Sequence, residues 1–213
     1  MGTDQLIALI AADNDKVAPV ALRRITWAVA IAALGACGLM VSITIGKRGD
    51  LANASTTFPV LAKVILGTCI AGLALIAFQR SLRPGVKPGW PALLLSAPMV
   101  VLACLAFLAL SQAPAESRGA MIFGRNWLVC LVAVPLYALL PLAGFVVVAR
   151  RGAPVDEVST GIFAGLAAAG LSTIAYSLHC SDDTMPFLAT WYSLAMAIEA
   201  GLGAFAFPRL VRW

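Results

Sequence analysis

Charged side chains are scarce in this chain. Asp, Glu, Lys and Arg make up 12% of its 213 residues, where soluble domains carry about 25%, and the mean hydropathy is +0.93. That excludes a water-soluble globular domain and makes lipid the main solvent. Long polar stretches are missing too, so no connection is large enough to fold by itself. None of the five cysteines forms a C-x-x-C pair, which argues against a zinc ribbon or a thioredoxin-like dithiol. The net charge of +5 is ordinary for a membrane protein with basic inner loops, and no nucleic-acid partner is expected. The first apolar run, after Arg23-Arg24, is too long for the core of a cleavable signal peptide. Position 6 is Leu, so the myristoylation pattern that Met1-Gly2 would begin is not completed.

What the chain has instead is apolar runs, and a bilayer core takes about 20 such residues per helix. Six stretches qualify: 25–45, 58–78, 90–110, 127–149, 159–178 and 187–207. Pro84, Gly85 and Pro88 break the connection between the second and third, Pro114 the next, and Pro154 the one after. The expected fold is an all-α integral membrane protein, a bundle of six transmembrane helices over 25–213, preceded by a segment, 1–24, outside the membrane. Lys16, Arg23, Arg24, Arg80, Arg83, Lys87, Arg150, Arg151, Arg209 and Arg212 fall on the side of the termini. Lys47, Arg48, Arg118, Arg125 and Lys63 fall toward the other. The positive-inside rule then places both termini in the cytoplasm.

Within the spans, Gly161 and Gly165 form a G-x-x-x-G, extended by Ala169, and Ala197 with Gly201 repeats the spacing in the last span. Such faces let helices approach closely. Pro135 and Pro141 should kink the fourth span, with neighbouring helices satisfying the carbonyls they free. Lys63 should snorkel outward. Glu199 lies deeper, where a carboxylate is a functional candidate, although snorkelling or a bond to a neighbouring helix accounts for it equally well.

In segment 1–24, Thr3 suits a helix N-cap and Asp4 its first turn. Leu6, Ile7, Leu9 and Ile10 make an apolar stripe that Asp13-Asn14-Asp15 ends. A helix this short is marginal alone, so its stripe needs a partner. Asp4, Asp13 and Asp15 would be repelled by anionic lipid, so a protein groove fits better than a membrane surface.

The most polar patch of the second half is Tyr176-Ser177-Leu178-His179-Cys180-Ser181-Asp182-Asp183-Thr184-Met185-Pro186. It holds the chain's one His. His, Cys and Asp all ligate soft or borderline metals, and a Cys at a membrane surface can be oxidised. Asp182, Asp183 and Pro186 also suit the plain task of ending one helix and starting the next. Cys37, Cys69 and Cys104 fall mid-span and read as small packing residues. Cys130, one turn into the fourth span, and Cys180, just past the fifth, reach the same depth on consecutive antiparallel helices. Both are expected near water, where a thiol ionises more easily than in lipid.

Taken together, Thr3-Asp4-Gln5-Leu6-Ile7-Ala8-Leu9-Ile10, the six spans, Cys130, His179-Cys180-Ser181-Asp182-Asp183 and the pair Trp191-Tyr192 resemble the NrsF-type membrane anti-sigma factors of proteobacteria, negative regulators of sigma F. The resemblance covers nearly the whole chain. It implies a non-enzymatic inner-membrane protein whose N-terminal segment, through Asp4, Leu6, Ile7, Leu9, Ile10 and Asp13, holds an extracytoplasmic-function sigma factor. It also implies that Cys130 and Cys180 sense oxidative or heavy-metal stress and release the sigma factor; the polar cluster around Cys180 adds the expectation that His179, Asp182 and Asp183 tune them. A transient metal ion would sit on Cys130, Cys180 and His179, with no resident cofactor. Two other classes fit less well. A membrane thiol/quinone oxidoreductase would need a C-x-x-C and a relay of further thiols. A small transporter would need broken helices, more intramembrane charge and a repeat between halves.

Overall fold

The computed structural model describes Gly2, Thr3, Gln5 and residues 19–211. The expected N-terminal helix, with Asp4, Leu6, Ile7, Leu9, Ile10 and Asp13, falls outside the described residues. Among the described residues the secondary structure is helical throughout, and six helices are long and apolar enough to cross a membrane. The first span is Pro19–Thr44, the second Phe58–Ser81, and the third Trp90–Gln112, interrupted at Leu95. The fourth is Trp127–Ala149, the fifth Glu157–Tyr176 and the sixth Met185–Leu210. The first helix begins six residues before the apolar run does. Pro19 suits a first helical turn, where its missing N–H is no loss, and the exposed Arg23 and Arg24 follow within that helix. The connection before the fourth span contains a further helix, Ala115–Phe123.

The fifth span is the hub. It packs most extensively against the sixth and second spans, then the fourth and first, while the third lies at the periphery. Its sequence explains why: two of its faces carry almost no side chain. A Cβ at Gly161 would overlap the Gly203 carbonyl, and one at Gly165 the Glu199 carbonyl, both in the sixth span. On another face, a Cβ at Gly170 would come within 2.7 Å of Ala71 N and Gly67 O in the second span. Backbones therefore meet directly, which replaces hydrophobic exclusion as the source of packing energy inside a bilayer. Asp156 caps this helix by accepting from the Ser159 N–H at 3.0 Å. Gly161 and Gly165 thus behave as the sequence suggests, whereas the small pair expected in the sixth span does not. Ala197 and Gly201 are exposed, and Gly203 is the residue that meets them.

Two buried clusters divide the bundle. One, with Leu22, Phe78, Phe145, Ala149, Phe207 and Val211, occupies the end nearest the termini. The other, with Cys37, Cys130, Tyr176, Cys180, Phe187 and Tyr192, occupies the opposite end. The fourth span runs through both as one helix despite Pro135 and Pro141. Proline at 141 removes the N–H that would bond the Tyr137 carbonyl, and the Cys37 thiol donates to that oxygen instead, at 3.4 Å. Cys37 is buried as expected, but Cys69 and Cys104 are exposed on the helix surfaces that face lipid.

Candidate functional site

Helix termini leave unpaired backbone groups, and the connection between the fifth and sixth spans answers several at once. The Asp182 carboxylate accepts from the N–H groups of Arg125 and Asn126, at 3.0 and 2.7 Å, where the fourth span begins. The Thr184 hydroxyl donates to Met121 O at 2.5 Å, and the Trp191 indole donates to Ile122 O at 2.8 Å. Trp191 also lies against Trp127 and Phe123, with centroids 4.9 and 5.8 Å away. Trp191 and Tyr192 sit in a π-helical turn, Leu188–Tyr192, a geometry that recurs at functional sites.

The same connection is tied to the one between the first and second spans. The Arg48 N–H donates to Leu178 O at 2.9 Å. His179 Nδ1 donates to Gly46 O at 2.9 Å; a carbonyl can only accept, so that nitrogen carries the proton. Arg48 and Lys63 converge on two acceptors. Arg48 Nη1 and Lys63 Nζ both donate to Cys180 O, at 3.0 and 2.9 Å. Lys63 Nζ reaches Asp183 Oδ1 at 2.6 Å, and Arg48 Nη2 reaches Asp183 Oδ2 at 2.8 Å. Arg48 also pairs with the exposed Asp50 at 2.7 Å. Lys63 does not snorkel; it is fully buried, and it turns inward because this carboxylate and carbonyl accept from its ammonium in place of water.

The electrostatics follow. Burial works against the Asp183 charge, but hydrogen bonds and charge from Arg48 and Lys63 outweigh it and hold the carboxyl below its ordinary value. In the unfolded chain Asp183 takes up its proton first as pH falls. The contribution of the cluster is therefore complete above the ordinary carboxylate range and is lost as pH drops through the depressed folded value. Asp183→Asn is expected to remove part of this acid limb from a plot of thermal midpoint against pH; a superimposable limb in the variant would mean that the pairing adds nothing to stability.

Both thiols are fully buried and unoxidised, which corrects the expectation of two water-exposed cysteines. Burial pushes the Cys180 thiol up; the Lys63 ammonium, the Tyr192 phenol and the Asp182 backbone pull it down, but burial prevails. Its Sγ lies 3.8 Å from Asp182 O. Both cysteines belong to one buried cluster because the fourth span begins, and the fifth ends, at the same end of the bundle. Of the side chains expected to tune them, His179, Asp182 and Asp183 are all engaged in fastening loops. Among the described residues no group of three or more His, Cys, Asp or Glu is placed to hold a metal ion, so Cys130, Cys180 and His179 are not assembled as a three-ligand set.

Arg48 and Lys63 are the residues that sequence reasoning missed as part of the site. The available signal was two cations on the less basic side of the membrane, one of them a turn inside a span. Glu199 is buried with neither carboxyl oxygen bonded among the described residues, so it neither snorkels nor bonds a neighbouring helix.

A family model described as "Negative regulator of sigma F" matches residues 10–213. A probable anti-sigma-F factor NrsF of Azospira oryzae is 31% identical over 214 residues, and an anti-sigma-F factor NrsF of Caulobacter vibrioides is 30% identical over 221. Each comparison covers both chains in full. No solved structure matches.

Proposed function

Because the chain belongs to the family of negative regulators of sigma F, we propose that it is an inner-membrane anti-sigma factor that holds an extracytoplasmic-function sigma factor and frees it when a stress signal reaches Cys130 and Cys180 from the periplasm. Both termini are cytoplasmic in this reading, and the Cys180 end faces out. The Lys and Arg bias supports that orientation. The N-terminal stripe of Leu6, Ile7, Leu9 and Ile10 fills a groove on the sigma factor, while Asp4 and Asp13 face its basic residues.

One observation carries the sensing role: two cysteines 50 positions apart share a buried cluster at the end of the bundle away from the termini. Two chemistries suit such a pair. An oxidant can take two electrons and join the sulfurs, with two protons released. A soft metal ion can displace both protons and bridge the thiolates. Either fixes the outer ends of the fourth and fifth spans to each other. The signal acts only through the difference between its affinities for the sigma-holding and sigma-free states. The fifth span is the route inward, because its glycine faces bear directly on the second and sixth spans.

The test is to replace Cys130 and Cys180 with Ser, singly and together, keeping Cys37, Cys69 and Cys104. As one unit, each single change should abolish induction of the sigma regulon, and the double should add nothing. A normal response in either single variant, at unchanged protein level, would sink the two-thiol switch.

A further inference from the structure

We infer that Lys63 and Arg48 are positioning residues for Cys180, a cationic latch that keeps its thiol seated in the buried cluster that also holds Cys130. The inference rests on the two-thiol reading above and assigns it two residues that hold the backbone of Cys180 rather than its sulfur.

The geometry is specific. The cations come from different elements, Lys63 from the second span and Arg48 from the connection before it, and both grip the same two acceptors. One acceptor is the carbonyl of Cys180 itself. A hydrogen bond to a residue's own backbone fixes where its side chain starts, and here two bonds share that oxygen. The other acceptor, Asp183, lies three residues on, so the chain is held on both sides of Ser181 and Asp182. Asp182, between the grips, is bonded to the start of the fourth span, the helix that carries Cys130. The latch therefore sets the Cys180 thiol relative to Cys130 from two directions.

Replacing a buried ion pair with apolar groups is often neutral, whereas removing one partner is costly. Asp183 retains 28% of its side-chain exposure, so it can hydrate when Lys63 is lost. The expected result of breaking the latch is thus a loosened 180–183 segment on an intact bundle.

The rate at which N-ethylmaleimide modifies each cysteine of the full-length chain in detergent, followed by peptide mass, reads this directly. Lys63→Met and Asp183→Asn should each raise the modification rate of Cys180 by at least about tenfold, and leave Cys37, whose thiol is bonded to Tyr137 O of the fourth span, unchanged. Lys63→Arg, which keeps charge and donors, should restore protection. A Cys180 rate unchanged in both variants would overturn the latch. So would a parallel rise at Cys37, which would mean general loosening. The labelling does not depend on sensing: if it behaves as expected while the Cys→Ser variants still respond to stress, the two-thiol switch fails and the latch stands.

Discussion

Changing Leu6 and Ile10 together to Ala is expected to switch on the sigma regulon in unstressed cells. Each apolar side chain buried in a groove contributes about 1.5–3 kcal/mol. Losing two removes about 3–6 kcal/mol of the roughly 8 kcal/mol that a micromolar complex represents, a fall in affinity on the order of a hundredfold or more. The lesion leaves the six spans and the thiols untouched, so protein level and cysteine protection should match the parent chain. Constitutive reporter output together with loss of sigma factor from the membrane fraction is the expected pair of readings. Retention of sigma factor by a chain lacking residues 1–20 would move the docking surface elsewhere, with the basic connection around Arg83 and Lys87 next in line.

The second large effect concerns two glycines two residues apart. Gly203→Ala should cost at least the upper part of the about 1–3 kcal/mol typical of overpacking. The new methyl group would be forced against the Gly161 backbone, and backbone cannot swing aside as a flexible side chain can. Gly201→Ala meets nothing within 4 Å and should be neutral or slightly stabilising through its better helix propensity. Thermal midpoints of the two purified variants provide the comparison. Similar midpoints would mean that the fifth and sixth spans are not in backbone contact. Gly165→Ala should behave like Gly203→Ala, since the Glu199 carbonyl stands in the same relation to it.

These cases also mark how far the sequence could be read. The spans were legible because a bilayer imposes a length, and 127–149 agrees with the observed helix to the residue. Gly161 and Gly165 were legible as a close-packing face because only small residues allow it. Which residue they would meet was not. Ala197 and Gly201 have the right spacing but the wrong phase, and phase between two helices is a tertiary fact. The π turn at Leu188–Tyr192 adds to the difficulty, since one extra residue in a turn rotates everything beyond it by about 100°. The loop cluster was illegible for another reason. Arg48, Lys63 and Asp183 are brought together by pairings across more than a hundred residues, and each alone has an ordinary local explanation. The burial of Cys130 and Cys180 was missed for a related cause: depth along a span follows from counting, but cover by Phe187, Leu188 and Tyr192 depends on how neighbouring chain folds over.

The helix at the centre of this bundle is the fifth of six to be made. When the first four spans have entered the membrane, the surfaces that will enclose it still face lipid, and Gly67 waits for a partner about a hundred residues further along the chain. Synthesis at roughly 5–20 residues per second makes that a delay of several seconds. The segment proposed to hold the sigma factor is by then long finished. In the proposed reading, that segment reaches the cytoplasm before the sensor that governs it has assembled, so a newly made molecule binds before it can respond.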